Sequence, residues 1–419
     1  MWFGRVCKRM KGIVANVVYL YLSQAANYIF PIITIPFLAR VLGKESFGQY
    51  GTALSLAQFG QILIEYGFSF WGSREVSLNR NQVDYLQRLV SGVMGARVIL
   101  LLAFTFILIF YLTALHLTVK DKIWMFVAVL LWVLSWVLNP AWFYQGLEKM
   151  RVVALLDLGT RAVATVQIFI LVNSREEWFL PVLLLGLSFL IGNIVALGFL
   201  WKRLGPVFPS LSFGYQVLKK GAYVFLYRAG VSMFTVVNPV FLALLSSPVQ
   251  VAYYLGSEKL SRPLLGLLDP LNRAVYPRIA LLQMESPRRA RVFIRRLLFI
   301  VSAGSIITVI TAWLLAPYAV TLFLGVDYGS AVPILRIFLL LLIPASLSKT
   351  LGAHVFLARR RDELMGRLYI TAGILNVLIA PVAAVVAGAV GVAVVAVLVE
   401  TWIFVAMLWH LRSCTYLPT

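Results

Sequence analysis

The chain has 419 residues, of which 61% are hydrophobic and 13% charged, with a mean hydropathy of +0.90; a soluble globular domain is only about 45–50% apolar and is excluded. Its 37 Lys and Arg outnumber its 16 Asp and Glu, a formal net charge of +21, and in so apolar a chain that excess points to a membrane surface rather than to nucleic acid. Apolar runs of about 18 or more residues recur from one end to the other, so the expected class is an all-α integral membrane protein.

At about 20 residues per crossing, the pattern predicts about twelve transmembrane helices, near residues 14–37, 46–70, 89–113, 123–145, 153–173, 178–201, 222–246, 250–280, 295–324, 331–357, 368–388 and 391–411. The first follows MWFGRVCKRMKG, which has the charged start of a signal peptide; its apolar run is long enough to span and no small-residue cleavage site follows, so it reads as an uncleaved helix. Twenty-four Lys and Arg fall in one set of loops, among them Arg5, Arg74, Lys149, Lys202, Arg288, Arg359 and Arg412, and only Arg40, Lys44, Lys120, Lys122 and Arg175 in the alternate set. The positive-inside bias therefore places both termini in the cytoplasm. In LGPVFPSLSFG, residues 204–214, Pro206, Pro209 and Gly214 interrupt the helical pattern. The expected division is a six-helix lobe over 1–203, a cytoplasmic linker over 204–221 and a second six-helix lobe over 222–419. A shift of 204 residues pairs Phe37-Leu38-Ala39 with Phe241-Leu242-Ala243, Tyr50 with Tyr254, Leu56 with Leu260, Leu63 with Leu267, Glu65 with Asp269 and Arg74 with Arg278. Two parallel repeats of this kind are a recurring transporter plan.

Eight of the 37 basic residues lie inside predicted spans: Arg97, Arg161, Arg228, Lys259, Arg262, Arg273, Arg336 and Lys349. The acids there are fewer, namely Glu65, Asp157, Glu258, Asp269 and Glu400, which leaves the spans net positive. Hydrocarbon does not solvate charge, so these groups must pair or face a wet cavity. Asp157 with Arg161, Glu258 with Arg262 and Asp269 with Arg273 are acid-first i,i+4 pairs, the favourable order on a helix, and mutual neutralisation is one reading of each. Lys259, Arg97, Arg228, Arg336 and Lys349 have no such local acid, so they pair across helices or line a cavity built for an anion. All eight are candidate substrate-binding cations, and the five acids are candidate ion-coupling groups, with Glu400 foremost because no basic residue lies four positions away. Pro31, Pro36, Pro239, Pro263, Pro270 and Pro277 are placed as hinges would be, or as ordinary prolines of packed membrane helices.

Other chemistries find no support. The cysteines, Cys7 and Cys414, lie at opposite termini and predict no disulfide. His116, His354 and His410 have no metal-ligand spacing. No G-x-x-x-x-G-K-[ST] motif occurs, so no nucleotide-hydrolysing site is expected. The predicted outer loops are short, and Asp327 in LFLGVDYGSAVP is their one acid placed to suggest glycan chemistry; a polar loop residue is the plainer reading.

Several stretches resemble a known family. YLSQAANYIFPIITIPFLARVLGKESFGQYGTALSLAQFGQILIEYGFSFWGSREVSLNR (21–80), PAWFYQGLEKMRVVALLD (140–157), GAYVFLYRAGVSMF (221–234), YYLGSEKLSRPLLGLLDPLNRAVYPRIA (253–280) and LGVDYGSAVPILRI are similar to the polysaccharide repeat-unit flippases, the Wzx or O-antigen flippase branch of the MOP superfamily. The most specific parts are YGF..W.SREVSLNR and WFYQGLEKM. The resemblance implies a MATE/MurJ-like fold of twelve helices in two pseudo-symmetric six-helix lobes around a central cationic cavity, in the bacterial cytoplasmic membrane. It implies translocation of undecaprenyl-pyrophosphate-linked oligosaccharides to the outer leaflet by alternating access, with no catalysis and no cofactor. The implied partners are the lipid-linked substrate, the bilayer, and polysaccharide polymerase and chain-length regulator proteins. The GSEKLSR segment, with Lys259 and Arg262, carries the substrate role over best. Helix seven departs from the pattern: VVNPVFLALLSS keeps Asn238 but is otherwise mostly apolar. The alternatives are a MATE-like multidrug or ion antiporter, which a cationic cavity disfavours because it repels cationic drugs, and a membrane enzyme of glycan assembly, which the short outer loops disfavour.

Overall fold

The computed structural model describes residues 2–413 apart from 234–235, 267–274, 276–278, 280–281, 283–284 and 357–360; the side chains of 1–25, 223–224, 226–233, 287, 362 and 412–413 also lie outside the description. Asp269, Arg273, Pro270, Pro277 and the side chain of Arg228 are thus outside it. The described chain is helical: α1 Trp2–Glu65, α2 Trp71–Leu78, α3 Val83–Ala114, α4 Val119–Val137, α5 Ala141–Gly146, α6 Met150–Leu171, α7 Leu180–Leu204, α8 Leu211–Met233, α9 Val237–Leu245, α10 Pro248–Gly266, α11 Pro287–Phe323, α12 Ala331–Leu340, α13 Leu342–Leu351 and α14 Asp362–Ser413. Among the described residues, eight helices are long and apolar enough to cross a membrane.

Two of those eight are bent pairs. A straight α1 would run to about 96 Å at 1.5 Å per residue, three times the roughly 30 Å hydrocarbon core. It turns at Gly43, whose φ of 70° is left-handed backbone that only glycine adopts without strain. The last helix, α14, turns in the same way at Gly388, with φ 55°. The break there frees backbone N–H groups that lipid cannot satisfy, and the side-chain oxygen of Gln250 accepts the Ala389 N–H at 2.9 Å. The breaks therefore fall on glycines, while Pro31, Pro36, Pro263 and Pro381 stay inside continuous helix. Pro239 sits in the first turn of α9, where its missing N–H costs no hydrogen bond.

Contacts divide the chain into two compact units, 1–228 and 229–419. In the first, α4 and α6 pack on α7 and α1 packs on α4 and α6. The connection between α6 and α7 is closed by Glu177, whose carboxylate accepts the N–H groups of Asn173 at 2.6 Å and Ser174 at 2.9 Å; these bonds, that from Asn173 foremost, hold its pKa below the usual carboxylate value. In the second unit α10 packs on α12 and α9, α11 on α13, and α14 on α9, α12 and α13. Residue 43 and residue 247 are 204 apart; the first unit bends at Gly43, and the chain leaves helix between α9 and α10 at Ser246 and Ser247. The next matched pair, Tyr50 and Tyr254, is buried in both units.

A Cβ on Gly388 would lie 2.8 Å from Oε1 of Gln250 on a backbone that disfavours any side chain. Gly388→Val is expected to cost about 2 kcal/mol or more, seen as a lower thermal midpoint of the detergent-purified protein, while Val386→Ala, two residues away on an exposed position, leaves the midpoint nearly unchanged.

Candidate functional site

The two most distinctive sequence segments meet in the first unit. Glu65 ends α1, the chain reverses through Tyr66 (φ 44°) and Gly67 (φ 81°), and the Glu65 carboxylate accepts the Ser69 N–H at 3.2 Å and the Ser69 hydroxyl. The short helix α2 that follows lies against α5. Gly72 admits the Trp142 ring, which a Cβ would meet at 2.7 Å, and Gly146 admits the Ser73 carbonyl at 2.5 Å. Arg80 and Glu148 close the joint with an ion pair of 2.6 Å. The motifs YGF..W.SREVSLNR and WFYQGLEKM are thus two halves of one packed joint.

Arg97 belongs to this joint. It is 3% exposed, it donates from Nη1 to the carbonyls of Val137 (3.2 Å) and Asn139 (2.6 Å), and its guanidinium lies 5.4 Å from the centre of the Phe68 ring. The end of α4 leaves carbonyls without intrahelical donors at the negative pole of the helix dipole, so a cation is stabilised there, with the Glu65 carboxylate adding a favourable charge. Its Nε finds no acceptor among the described residues. Asp157 and Arg161 form their i,i+4 pair on α6 at 3.0 Å, with the Arg161 guanidinium 5.1 Å from the Phe189 ring of α7.

In the second unit the charge lies along α10. Glu258 and Arg262 are 2.5 Å apart, and the acid is 8% exposed while the cation is 38% exposed. Tyr254, Glu258 and Arg262 recur every four residues and share one helix face. At its upper end the Tyr254 hydroxyl accepts Asn238 Nδ2 at 3.2 Å, and Asn238 Oδ1 accepts Asn376 Nδ2 of α14 at 2.7 Å. A polar chain therefore runs from α14 through α9 to Tyr254 of α10, one turn before the ion pair, and Lys259, next to Glu258 in the chain, is half-buried. Elsewhere in this unit Glu400, 7% exposed, accepts the Ser348 hydroxyl at 2.7 Å, and the Ser305 and Ser346 hydroxyls are 2.9 Å apart. Arg336 lies over the Trp313 ring at 4.0 Å and donates from Nε to the Trp313 carbonyl at 3.4 Å. Lys349 is exposed on α13 and His354 is buried in the π-helical turn Gly352–Phe356.

The acid-first spacing of the sequence locates two of these pairs. It gives no sign of the carbonyl partners of Arg97, which lie 40 and 42 residues away, nor of Tyr254 and Asn376. A lone asparagine in an apolar span, as Asn238 and Asn376 both are, is the available signal for the chain they form.

The sequence pattern of the polysaccharide biosynthesis protein family matches residues 13–283. A protein of Escherichia coli (strain K12) named "Putative O-antigen transporter" is 27% identical over 376 residues, which cover 87% of this chain and 88% of that protein. Among solved structures, the lipid II flippase MurJ in its inward closed conformation matches with a TM-score of 0.75 at 12% identity, over 95% of this chain and 87% of that one. An inward-facing multidrug resistance MATE family transporter of the MOP superfamily matches with a TM-score of 0.68 at 15% identity, over 96% of this chain and 98% of that one. At these identities the structural likeness establishes the fold.

Replacing Arg97 by Met removes the donor to two carbonyls and the cation over Phe68. A loss of about 2–3 kcal/mol is expected, read as a lower thermal midpoint in detergent, with Arg97→Lys recovering part of it by keeping the charge at the helix end.

Proposed function

The chain belongs to the polysaccharide biosynthesis protein family, and from that premise we propose that it carries undecaprenyl-pyrophosphate-linked oligosaccharide repeat units from the cytoplasmic to the outer leaflet of the bacterial inner membrane. It does so as a transporter, by alternating access through a cationic cavity, and leaves the glycan chemically unchanged. The relative named for O-antigen transport and the fold shared with a lipid II flippase support this reading. The released glycan then serves polysaccharide polymerase and chain-length regulator proteins.

The observation that carries the substrate assignment is the unequal exposure of the Glu258–Arg262 pair. The carboxylate is buried and the guanidinium partly open, so the pair is stable within the span and still presents its positive end. Beside it Lys259 adds a second cation. A pyrophosphate crossing hydrocarbon loses its hydration, and guanidinium and ammonium groups replace that water with charge-assisted hydrogen bonds. Arg336 and Lys349 are further candidate cations, as is Arg161 beside its own acid; Arg228 and Arg273 are candidates from the sequence alone, and Arg97 acts through the joint it holds. A MATE-like antiporter has the same fold, but cationic spans disfavour cationic drugs.

Glu400 is the proposed coupling group, ahead of Glu258, Asp269, Asp157 and Glu65, because it is a buried carboxylate with a hydroxyl donor that can exchange a proton or small cation as the transporter changes state.

The test is protection of labelled undecaprenyl-pyrophosphate oligosaccharide in liposomes that contain the purified protein, read with a membrane-impermeant glycan-modifying enzyme. Inward-facing glycan should become accessible only with protein, at unchanged mass; a changed mass would point to an enzyme, and unchanged accessibility across several glycans to a different substrate. In the same assay Lys259→Glu and Arg262→Glu should each lower the rate at least about tenfold, a loss of roughly 1.4 kcal/mol in transition-state stabilisation, with membrane insertion retained. Glu400→Gln should remove the acceleration produced by an imposed ion gradient, measured as equal rates with and without the gradient.

A further inference from the structure

The segment between α7 and α8 is tied along the first turns of α3. Gln87 donates to the Leu204 carbonyl, the Ser91 hydroxyl donates to the Phe208 carbonyl at 2.7 Å, and the Ser210 N–H donates to the Ser91 carbonyl at 3.1 Å. Two glycines make the approach possible: a Cβ on Gly95 would come within 2.0 Å of the Ser210 carbonyl oxygen, and one on Gly214 within 2.5 Å of the Ala96 nitrogen. Beside this seam lies an open cleft of about 450 Å³, lined by Gln87, Arg88, Ser91, Val207, Phe208 and Phe213 among others.

Three features define what the cleft takes. Its linker wall is apolar, and the apolar surface continues outward, with Phe208 74%, Leu211 53% and Tyr215 69% exposed. Its rim is basic. Arg88 is exposed and forms no ion pair with any described residue, Asp84 one turn earlier included. Lys202 and Arg203, also exposed, immediately precede Leu204, whose carbonyl Gln87 holds. Its depth is that of a lipid headgroup. The 32 residues of α3 extend about 48 Å, some 18 Å more than the hydrocarbon core, so the turns that carry Arg88 and Ser91 emerge where the chain gathers its arginines and lysines.

We propose that this cleft binds an anionic phospholipid, its phosphate on Arg88 and Arg203 and its acyl chain against Phe208 and Phe213, and that the bound lipid holds the linker onto α3. The charge selects the occupant: a zwitterionic lipid brings its own cation to a cleft that already has Arg88 in its lining and Lys202 and Arg203 in the chain just before it, whereas an anionic headgroup neutralises them. Phe208, 74% exposed among the described residues, gains acyl contact from the same molecule.

The experiment uses the full chain in detergent, titrated with phosphatidylglycerol or phosphatidylcholine, with bound lipid counted by native mass spectrometry and the thermal midpoint recorded. Phosphatidylglycerol should bind and raise the midpoint, phosphatidylcholine should not, and Arg88→Gln with Arg203→Gln should weaken phosphatidylglycerol binding at least fivefold. Should the double variant not fold, Arg88→Gln alone is scored in the same way. Equal stabilisation by both lipids, or unchanged phosphatidylglycerol affinity in the variant, overturns the proposal. So does displacement of the lipid by undecaprenyl pyrophosphate, which would give the cleft to the transported carrier. Flipping by the protein is measured independently, and its loss or survival does not bear on this site.

Discussion

Charge inside hydrocarbon is the constraint on which the rest of this structure turns. A lone carboxylate or guanidinium at mid-membrane costs at least about 2.5–3.5 kcal/mol on insertion scales, yet the described spans of this chain contain several. They are accommodated in three ways. Asp157 with Arg161 and Glu258 with Arg262 neutralise each other within one helix turn. Arg97 uses the open carbonyls at the end of α4 and the face of Phe68. Glu400 takes a hydroxyl from Ser348. The first costs no tertiary organisation, whereas the other two exist only after distant segments have met, so they link the charge of a span to the packing of its unit.

The same shortage of water governs the backbone. A helix that changes direction in a membrane exposes N–H and C=O groups that need protein partners, and at Gly388 the side chain of Gln250 supplies one. Gln250 lies in the first turn of α10, just after the break at Ser246 and Ser247, so one bend is stabilised by a residue placed at another. Proline loses a single hydrogen bond and can remain in a helix that neighbours pack around, but it cannot adopt positive φ. The sharp reversals at residues 43 and 388 need that conformation, which explains why the hinge positions suggested by Pro31, Pro36 and Pro263 lie within unbroken helix.

Helix positions were legible because they depend on runs of apolar residues and on local spacing. The predicted gap between residues 37 and 46 contains Gly43, and the predicted gap between 388 and 391 begins at Gly388 itself. The pairs Asp157–Arg161 and Glu258–Arg262 were legible for the same reason; Asp269–Arg273 lies outside the described residues. The joint between residues 65–80 and 137–148 was visible only as distinctive sequence, because its content is a set of close approaches, Gly72 to Trp142 and Gly146 to Ser73, that no periodicity encodes. Arg97 looked like a cation without a partner since its partners are carbonyls, which every residue has and no composition count reveals. The chain Asn376–Asn238–Tyr254 was hidden similarly: each member is one polar residue in an apolar span, and the link between them is tertiary.

Fold alone does not separate the two transporter classes, because a lipid II flippase and a multidrug resistance MATE family transporter both superpose on nearly the whole chain. The distinction has to come from side chains within the spans. There the sign of the charge and its exposure point the same way. In the Asp157–Arg161 pair the two side chains are about equally accessible, 21% and 19%, as expected of a pair that serves its helix. In the Glu258–Arg262 pair the acid is nearly closed off and the cation is not. The buried carboxylate, one turn after Tyr254 and its asparagine chain, fixes where the partly exposed guanidinium sits. A structural ion pair and the proposed anion-recognition group are therefore compatible roles for the same two residues: Glu258 supports Arg262 within the span, and the exposed side of Arg262 is where the proposed pyrophosphate would meet a guanidinium.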